Sequence, residues 1–576
     1  MIAGLRVVSF TGVLGALVVA PFVSWPAWGS WAAGTSGLAF LVLVFVHAAV
    51  ERRADVVRAR KEYAARGLKR VADGQASRPE GMSIAIDSTH PYALDLDLFG
   101  PRSLSSWLDG VHTHEGQSAL AHFLLEPCTT TEARSRQELV KELAEDHAFR
   151  ESLSANAELL AARQLDKVAM QKLLAWSGEA ARPVNSFTLL ATAIFGGATL
   201  GIAIAALSGI AIFKASAIVL VAFAILVRLG TQSRASAILE SATPLVGTPE
   251  RYAALFGLAA SQPLASMKGQ QLQATLTQGD GAEAAAKALG TIGALLDARE
   301  NGLFRLFIGP LLQWDLLCSL LLEQWRSQHG KRLDEWVKSV AAFEATAALA
   351  TRAFEEPEGA WPEFVSGSCF VAEGLGHPLI APSERVCNDV ALRGGGEALV
   401  ITGSNMAGKS TLLRAMGLNA VLAYAGGKVC ASKLQLGQLD VVTSIKVADA
   451  LADGVSFFYA EVRRLKLVLD TAERGPTLFL LDEILRGTNS RERVIGAKAV
   501  VERLLGLSAL GAVSTHDLAI SQLAENETLK VLNVHFEEQV EGDVMKFDYV
   551  LRPGVVQTSN ALRLMKQVGL PVPEVG

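Results

Sequence analysis

Apolar positions follow different rhythms along the chain, and each rhythm predicts a different element. Val7–Trp25 is apolar and uncharged, and Trp28–Val50 is a second such stretch broken only by small and weakly polar residues. Phe187–Leu207 and Gly209–Leu229 form another pair. Stretches of about 20 apolar residues are long enough to cross a bilayer as helices, so the pattern predicts two transmembrane helical hairpins. Ser103–Asp109 and Gly116–Leu125 place apolar residues at helical spacing, and Pro127-Cys128 then breaks the run. Thr131–Leu160 alternates charged and apolar positions as an amphipathic helix does. Met267–Leu296 reads as an alanine-rich helical stretch, and Leu303–Arg352 as long helices. Beyond these, Ala398–Ile401, Thr477–Leu481 and Leu510–Ser514 are short apolar runs alternating with helix-like segments. That is the pattern of buried strands in a parallel α/β sheet.

Composition agrees with the membrane spans. Half of the 576 residues are hydrophobic and only 19% are charged, with a mean hydropathy of +0.30. Glu51-Arg-Arg53, Arg58, Arg60 and Lys61 follow the second span at once, while Pro26-Ala27 between the spans carries no charge. Positive residues stay on the cytoplasmic side. Both ends of the first hairpin are therefore expected in the cytoplasm, in a multi-pass protein of the inner (cytoplasmic) membrane. Arg182, Arg228 and Arg234 flank the second pair in the same sense, and Lys214 near its turn can snorkel. The basic stretch Arg52 to Arg70 adjoins the membrane and is expected to attract anionic lipid headgroups. The net charge of −5 gives no global sign of nucleic-acid binding. Five cysteines without CxxC spacing suggest reduced thiols and no metal cluster.

The densest chemistry lies at 401–411, where G-x-x-x-x-G-K-S runs from Gly403 to Ser410 between a strand-like and a helix-like run. In that context the loop Gly403, Ser404, Asn405, Met406, Ala407, Gly408, Lys409, Ser410 and Thr411 is expected to cradle phosphates. Its backbone N–H groups and the following helix N-terminus supply positive potential. Lys409 would reach the β- and γ-phosphates of ATP, and the Ser410 hydroxyl would ligate Mg²⁺. Asp482 and Glu483 close the apolar run from Thr477. They fit a water-mediated Mg²⁺ ligand and a general base for the attacking water. His516 follows the run ending at Ser514 and suits a contact to the γ-phosphate or the water.

The wording of these motifs narrows the reading. Thr402-Gly-Ser-Asn-Met-Ala-Gly-Lys-Ser-Thr-Leu-Leu-Arg414 resembles the loop TGPNMxGKSTxxR of MutS-type ATPases, with Ser404 for the proline and Ala407 for a glycine. His377-Pro-Leu-Ile380, Asn388-Asp389, Ala423–Ala431, Asp453–Glu461, Asp482–Thr488, Ser514-Thr-His516 and Asn533-Val-His535 follow the same family in the same order. The resemblance covers roughly residues 370–570 and implies an α/β P-loop, ABC-type ATPase domain (MutS domain V-like). It also implies a head-to-head homodimer, in which Ser456 and Thr488 act across the interface on the partner's nucleotide. Tyr549 falls where the family stacks an aromatic on adenine, whereas a second stacking position holds Arg385. A weaker likeness runs from Asp97 to Leu143 and resembles the start of the MutS core.

The expected domains are a transmembrane hairpin at 1–50, a basic juxtamembrane helix at 51–80 and a helical core-like region at 81–186. A second transmembrane hairpin at 187–229, a helical lever region at 230–360 and the ATPase domain at 361–576 complete the chain. The whole is a mainly α-helical core and lever region, containing two hairpins, joined to the ATPase. Residues 1–80 hold no space for the family's mismatch-reading domain, and a short helix at Ser559–Val568 is expected to dock on the partner. The resemblance implies DNA as ligand. A membrane-remodelling or signalling ATPase without DNA is the alternative, and a transporter is a more distant one because the LSGGQ signature is missing.

Overall fold

The computed structural model describes residues 27–73, 82, 84–162, 167–207, 212–242, 248–302, 304–404, 407–446, 457–486, 488–541 and 544–556. The first predicted span, Asn405, Met406, Ser456 and the Ser559–Val568 helix lie outside these residues.

The N-terminal half is helical. Helix α1 (Ala27–Asp73) joins the second predicted span to the basic stretch without a break. Short α2 (Leu104–Leu108), α3 (His114–Leu125), α4 (Thr130–Glu145), α5 (His147–Ala162) and α6 (Lys167–Gly178) build the core-like region. The amphipathic run predicted from Thr131 is two helices rather than one. Asp146 divides them because its carboxylate accepts the Phe149 N–H at 2.9 Å and starts a new helix. Then come α7 (Ser186–Leu207), α8 (Ile212–Ala242), α9 (Thr248–Ser261), α10 (Met267–Thr277), α11 (Ala282–Asp297), α12 (Gly309–Leu312) and the 42-residue α13 (Trp314–Glu355). Among the described residues, α7 and α8 are long and apolar enough to cross a membrane, over 21 and 30 residues. Helix α8 continues past the predicted end at Leu229, through Arg234 to Ala242.

The basic stretch departs from expectation in part. Arg70 is buried and pairs with Glu355 at 2.6 Å and Asp109 at 2.9 Å, and Arg66 pairs with Glu158 at 2.9 Å. These two arginines, one turn apart on one face, clasp carboxylates of the helical core instead of lipid. Arg53, Lys61 and Lys69 remain exposed.

The C-terminal third is an α/β unit. Strands β1 (Glu363–Phe364), β2 (Phe370–Leu375), β3 (Asn388–Leu392) and β5 (Lys433–Leu436) form a small sheet in the order β1-β5-β2-β3. Strands β4 (Glu397–Thr402), β6 (Asp440–Ser444), β7 (Thr477–Asp482), β8 (Leu510–Ser514), β9 (Lys530–Glu541) and β10 (Val544–Pro553) form the main sheet, ordered β10-β9-β4-β8-β7-β6. All its pairings are parallel except β9–β10. Period-2 alternation decides which side chain faces which layer. Leu399, Ile401, Leu478 and Leu480 join the large core containing α14 (Lys409–Tyr424) and the helical half. Ala398, Val400, Phe479 and Leu481 face a second core, with α15 (Phe457–Arg474) and α16 (Ser490–Gly506). Continuous apolar strands covered on both faces are what parallel sheets require.

The two halves are tied by a short N-terminal segment. Buried Asp95 accepts the Thr443 hydroxyl at 2.6 Å and the N–H groups of Ile445 and Lys446 at 3.0 and 3.1 Å. Arg464 of α15 lies 3.4 Å from the same carboxylate and donates to the carbonyls of His90 and Pro91 at 2.7 Å. Asp97 pairs with Arg414 at 3.0 Å and Lys446 at 2.7 Å.

Candidate functional site

The site lies at the C-terminal edge of β4, β7 and β8, where open parallel sheets bind ligands. Between β4 and α14 the chain turns through Gly403 (φ 139°) and Gly408 (φ 106°). Side chains rarely adopt these values. A Cβ on Gly403 would also stand 2.9 Å from the Phe536 carbonyl oxygen. Lys409 opens α14 and is buried. Its ammonium donates to the carbonyls of Gly403 at 2.6 Å and Ser404 at 2.9 Å, and lies 3.5 Å from Glu483 Oε1. Burial lowers its pKa, and Glu483 and Asp482 oppose that shift. A cation is thus held inside a loop of inward-turned backbone.

Asp482 is the last residue of β7. Its Oδ2 accepts the Ser410 hydroxyl at 2.6 Å and its Oδ1 accepts the Ser514 hydroxyl. The β7–β8 register places Ser514 directly opposite. Glu483 follows with φ 45°, and Leu485 has φ 61°. Left-handed non-glycine backbone costs on the order of 1–3 kcal/mol per residue, and such strain gathers at functional sites. Buried Glu461 on α15 holds this turn, one carboxylate oxygen accepting the N–H groups of Leu485 and Arg486. The turn directs the Glu483 carboxylate into a ring of basic groups. They are Lys409, Arg486 at 2.9 Å and His516 Nδ1 at 3.4 Å.

Other predicted residues lie around this centre. Ala407 is buried, Ser404 is half-buried and Thr411 is exposed on the outer side of α14. Tyr549 has φ 56°, stacks on Phe547 at 6.1 Å and neighbours Gly408 at the mouth of the loop. Arg385 is turned inward, donating to the Ile380 carbonyl at 2.8 and 3.0 Å. Thr488 donates to Glu492 at 2.8 Å, away from this centre. Ser514, Glu461 and Asp97 stood out in the sequence only as members of family-like stretches, with no role of their own, and Asp95 did not stand out at all.

His377 tests the electrostatics beside the loop. Burial, with Arg414 and Arg385 nearby, pulls its pKa from 6.5 to about 4. A lowered histidine pKa means that the folded state resists protonation, so stability is present above the unfolded value and is lost as pH falls. From 6.5 to about 4 this amounts to roughly 3 kcal/mol at full titration. We expect thermal stability to fall between pH 6.5 and 4, and His377→Asn to flatten that fall. Identical profiles for the two proteins would exclude His377 as its source.

The fitted parts are a strand–glycine loop–helix, a lysine inside the loop and paired Ser410–Asp482. They place the C-terminal unit in a recognisable class, because residues 399–575 match the family model for MutS domain V. Over those residues the chain carries a MutS domain V. A relative is the DNA mismatch repair protein MutS of Natronomonas pharaonis, 32% identical over 245 residues. That match covers 42% of this chain and 28% of the relative.

Proposed function

We propose that the chain is a membrane-anchored MutS-like ATPase with an ABC-type P-loop site, working as a head-to-head dimer. The observation that carries this reading is the convergence of Lys409, Ser410, Asp482, Glu483 and His516 on one sheet edge. The residues fit the nucleotide and its metal. The turned loop and buried Lys409 suit phosphate oxygens, and the Ser410–Asp482 oxygen pair suits Mg²⁺, a hard cation that prefers oxygen ligands. Bound Mg²⁺ would offset phosphate charge while water attacks the γ-phosphoryl group.

The chain's own residues then have separable tasks. The loop and Lys409 bind and orient, and Ser410 and Asp482 hold the metal, with Ser514 fixing Asp482. Glu483 receives the proton of the attacking water, and His516 positions that water. Tyr549 stacks on the base. Ser456 and Thr488 reach the nucleotide of the partner subunit. Exposed Phe458, Tyr459 and Val462 on the first turns of α15 support a partner on that side.

Anchoring rests on α7 and α8, whose Phe187, Ile194, Ile218 and Leu226 side chains are exposed. Burying such residues in lipid removes the cost of leaving them in water. Duplex DNA is the ligand by analogy with the relative's name. A motor acting on the membrane without DNA is the second reading, favoured by the direct contact of this hairpin with the long helix α13: Gln313 at its start donates to the Ala224 carbonyl at 3.0 Å.

One experiment separates the two readings. Detergent-purified protein is titrated with matched and mismatched duplexes, with ATP or ADP, over a salt series. Log affinity falling linearly with log salt establishes phosphate contacts. A preparation that hydrolyses ATP but binds no duplex at low salt overturns the DNA reading and leaves the membrane motor.

A further inference from the structure

The sequence between α11 and α13 reads simply as the approach to a long helix, but it folds otherwise. Phe304–Ile308 is a π-helical turn, followed by Gly309–Leu312, and the axis then bends by 65° into α13. The bend is at Gln313, which is left-handed at φ 53°. Leu306, Phe307 and Ile308 are 68%, 60% and 40% exposed, an apolar patch on a chain segment with no charged residue but Arg305.

Contacts give the depth of this segment. A Cβ on Gly196 of α7 would stand 2.4 Å from the Leu312 carbonyl oxygen, so the two backbones touch there. Gln313 is buried, and its amide donates to the carbonyls of Ala224 in α8 at 3.0 Å and Pro310 at 2.8 Å. At 1.5 Å per residue, Gly196 lies about 15 Å along α7 from Ser186, and Ala224 about 18 Å along α8 from Ile212. Both levels are near the middle of a hydrocarbon layer about 30 Å thick. Irregular backbone survives at such depth only where protein satisfies its polar groups, which is how Gln313 is held. Outside the bend, Asp315 pairs with Arg299 at 2.7 Å and Arg228 at 3.6 Å. These charges close both ends of the segment on one side.

We propose that Phe304–Leu312 is a third membrane element, a re-entrant wedge entering beside the α7–α8 hairpin, with Leu306, Phe307 and Ile308 against lipid acyl chains. The inference rests on the reading that the hairpin spans the bilayer. Its occupant is lipid because the segment's end packs against α7 and α8 at Gly196 and Ala224, and both helices leave apolar side chains exposed as this segment does. Arg305 snorkels towards the headgroups. Through α13, which ends next to the α/β unit, the wedge offers the motor a lever seated in one leaflet.

Nitroxide accessibility in vesicles of phosphatidylcholine and phosphatidylglycerol tests this. In full-length protein freed of its native cysteines, the label is placed by Phe307→Cys, with Val219→Cys on α8 and Ile495→Cys on α16 as references. High oxygen and low nickel-chelate access at 307, matching 219 and opposite to 495, supports the wedge. Nickel access at 307 with lipid-like behaviour at 219 overturns the wedge and keeps the hairpin. Nickel access at both removes the membrane reading itself, and the wedge with it. Low access of both reagents at 307 means protein packing, as by a second copy, and also overturns it. Photolabelling of the unsubstituted protein with a membrane-partitioned diazirine reports the same choice without any substitution. Label on the 304–312 peptide supports the wedge, and label on α7 and α8 with none on that peptide overturns it.

Discussion

Glu483→Gln is expected to bind ATP with near-normal affinity and to hydrolyse it about 10²–10⁴-fold more slowly, the usual range for loss of a general base. The substitution keeps the side chain's shape and can keep its contacts to Arg486 and His516. It removes the charge and basicity that accept the proton. Nucleotide binding depends on the loop and Lys409, which the change leaves in place apart from the 3.5 Å ion pair. With hydrolysis blocked, nucleotide-loaded dimers should accumulate. Steady-state hydrolysis, equilibrium nucleotide binding and sedimentation together decide it. Turnover within about tenfold of the parent would remove Glu483 from the role of base, and a large loss of binding would make it a structural partner of Lys409.

Asp95→Ala is expected to have the second largest effect, on stability rather than chemistry. The carboxylate is buried and accepts from the Thr443 hydroxyl and the Ile445 and Lys446 N–H groups, with Arg464 beside it. Breaking a buried pair by removing one partner costs about 3–5 kcal/mol, because the other charge stays desolvated. Asp97→Ala is the contrast. Its pairs with Arg414 and Lys446 are partly exposed, so screening limits the loss to about 1 kcal/mol or less. Thermal unfolding of the solubilised variants should rank Asp95→Ala far below Asp97→Ala. Equal losses would show that burial does not govern this joint. The joint also brackets residues 447–456, with Lys446 before them and Arg464 of α15 after them. A destabilised Asp95 variant should therefore hydrolyse ATP poorly even where it binds.

Much of the site was legible because its chemistry is local. A glycine loop needs its glycines, lysine and serine at fixed spacing, and a strand that ends in acids at a sheet edge announces itself by four or five apolar residues before them. The apolar pair that forms α7 and α8 was legible from length alone, and the parallel sheet from its short apolar runs. Local pattern also misled. Asp146 splits a helix whose periodicity runs through it, since a side-chain cap outweighs a continued stripe. Arg66 and Arg70 read as lipid-facing charges because their partners, Glu158, Asp109 and Glu355, are distant in sequence.

The sequence by itself determined the order of the strands, the apolar helices α7 and α8, and the residues of the glycine loop and the acids facing it. Only the tertiary structure decided that Ser514 and Glu461 fix those acids, that Asp95 joins residues some 350 positions away, and that Gln313 bends a helix against Ala224. The physical reason is the range of the interactions. Periodicity and loop geometry are set by neighbours in the chain. Buried carboxylates and close backbone contacts are satisfied by whatever the fold brings to them, and one-dimensional spacing carries no trace of that.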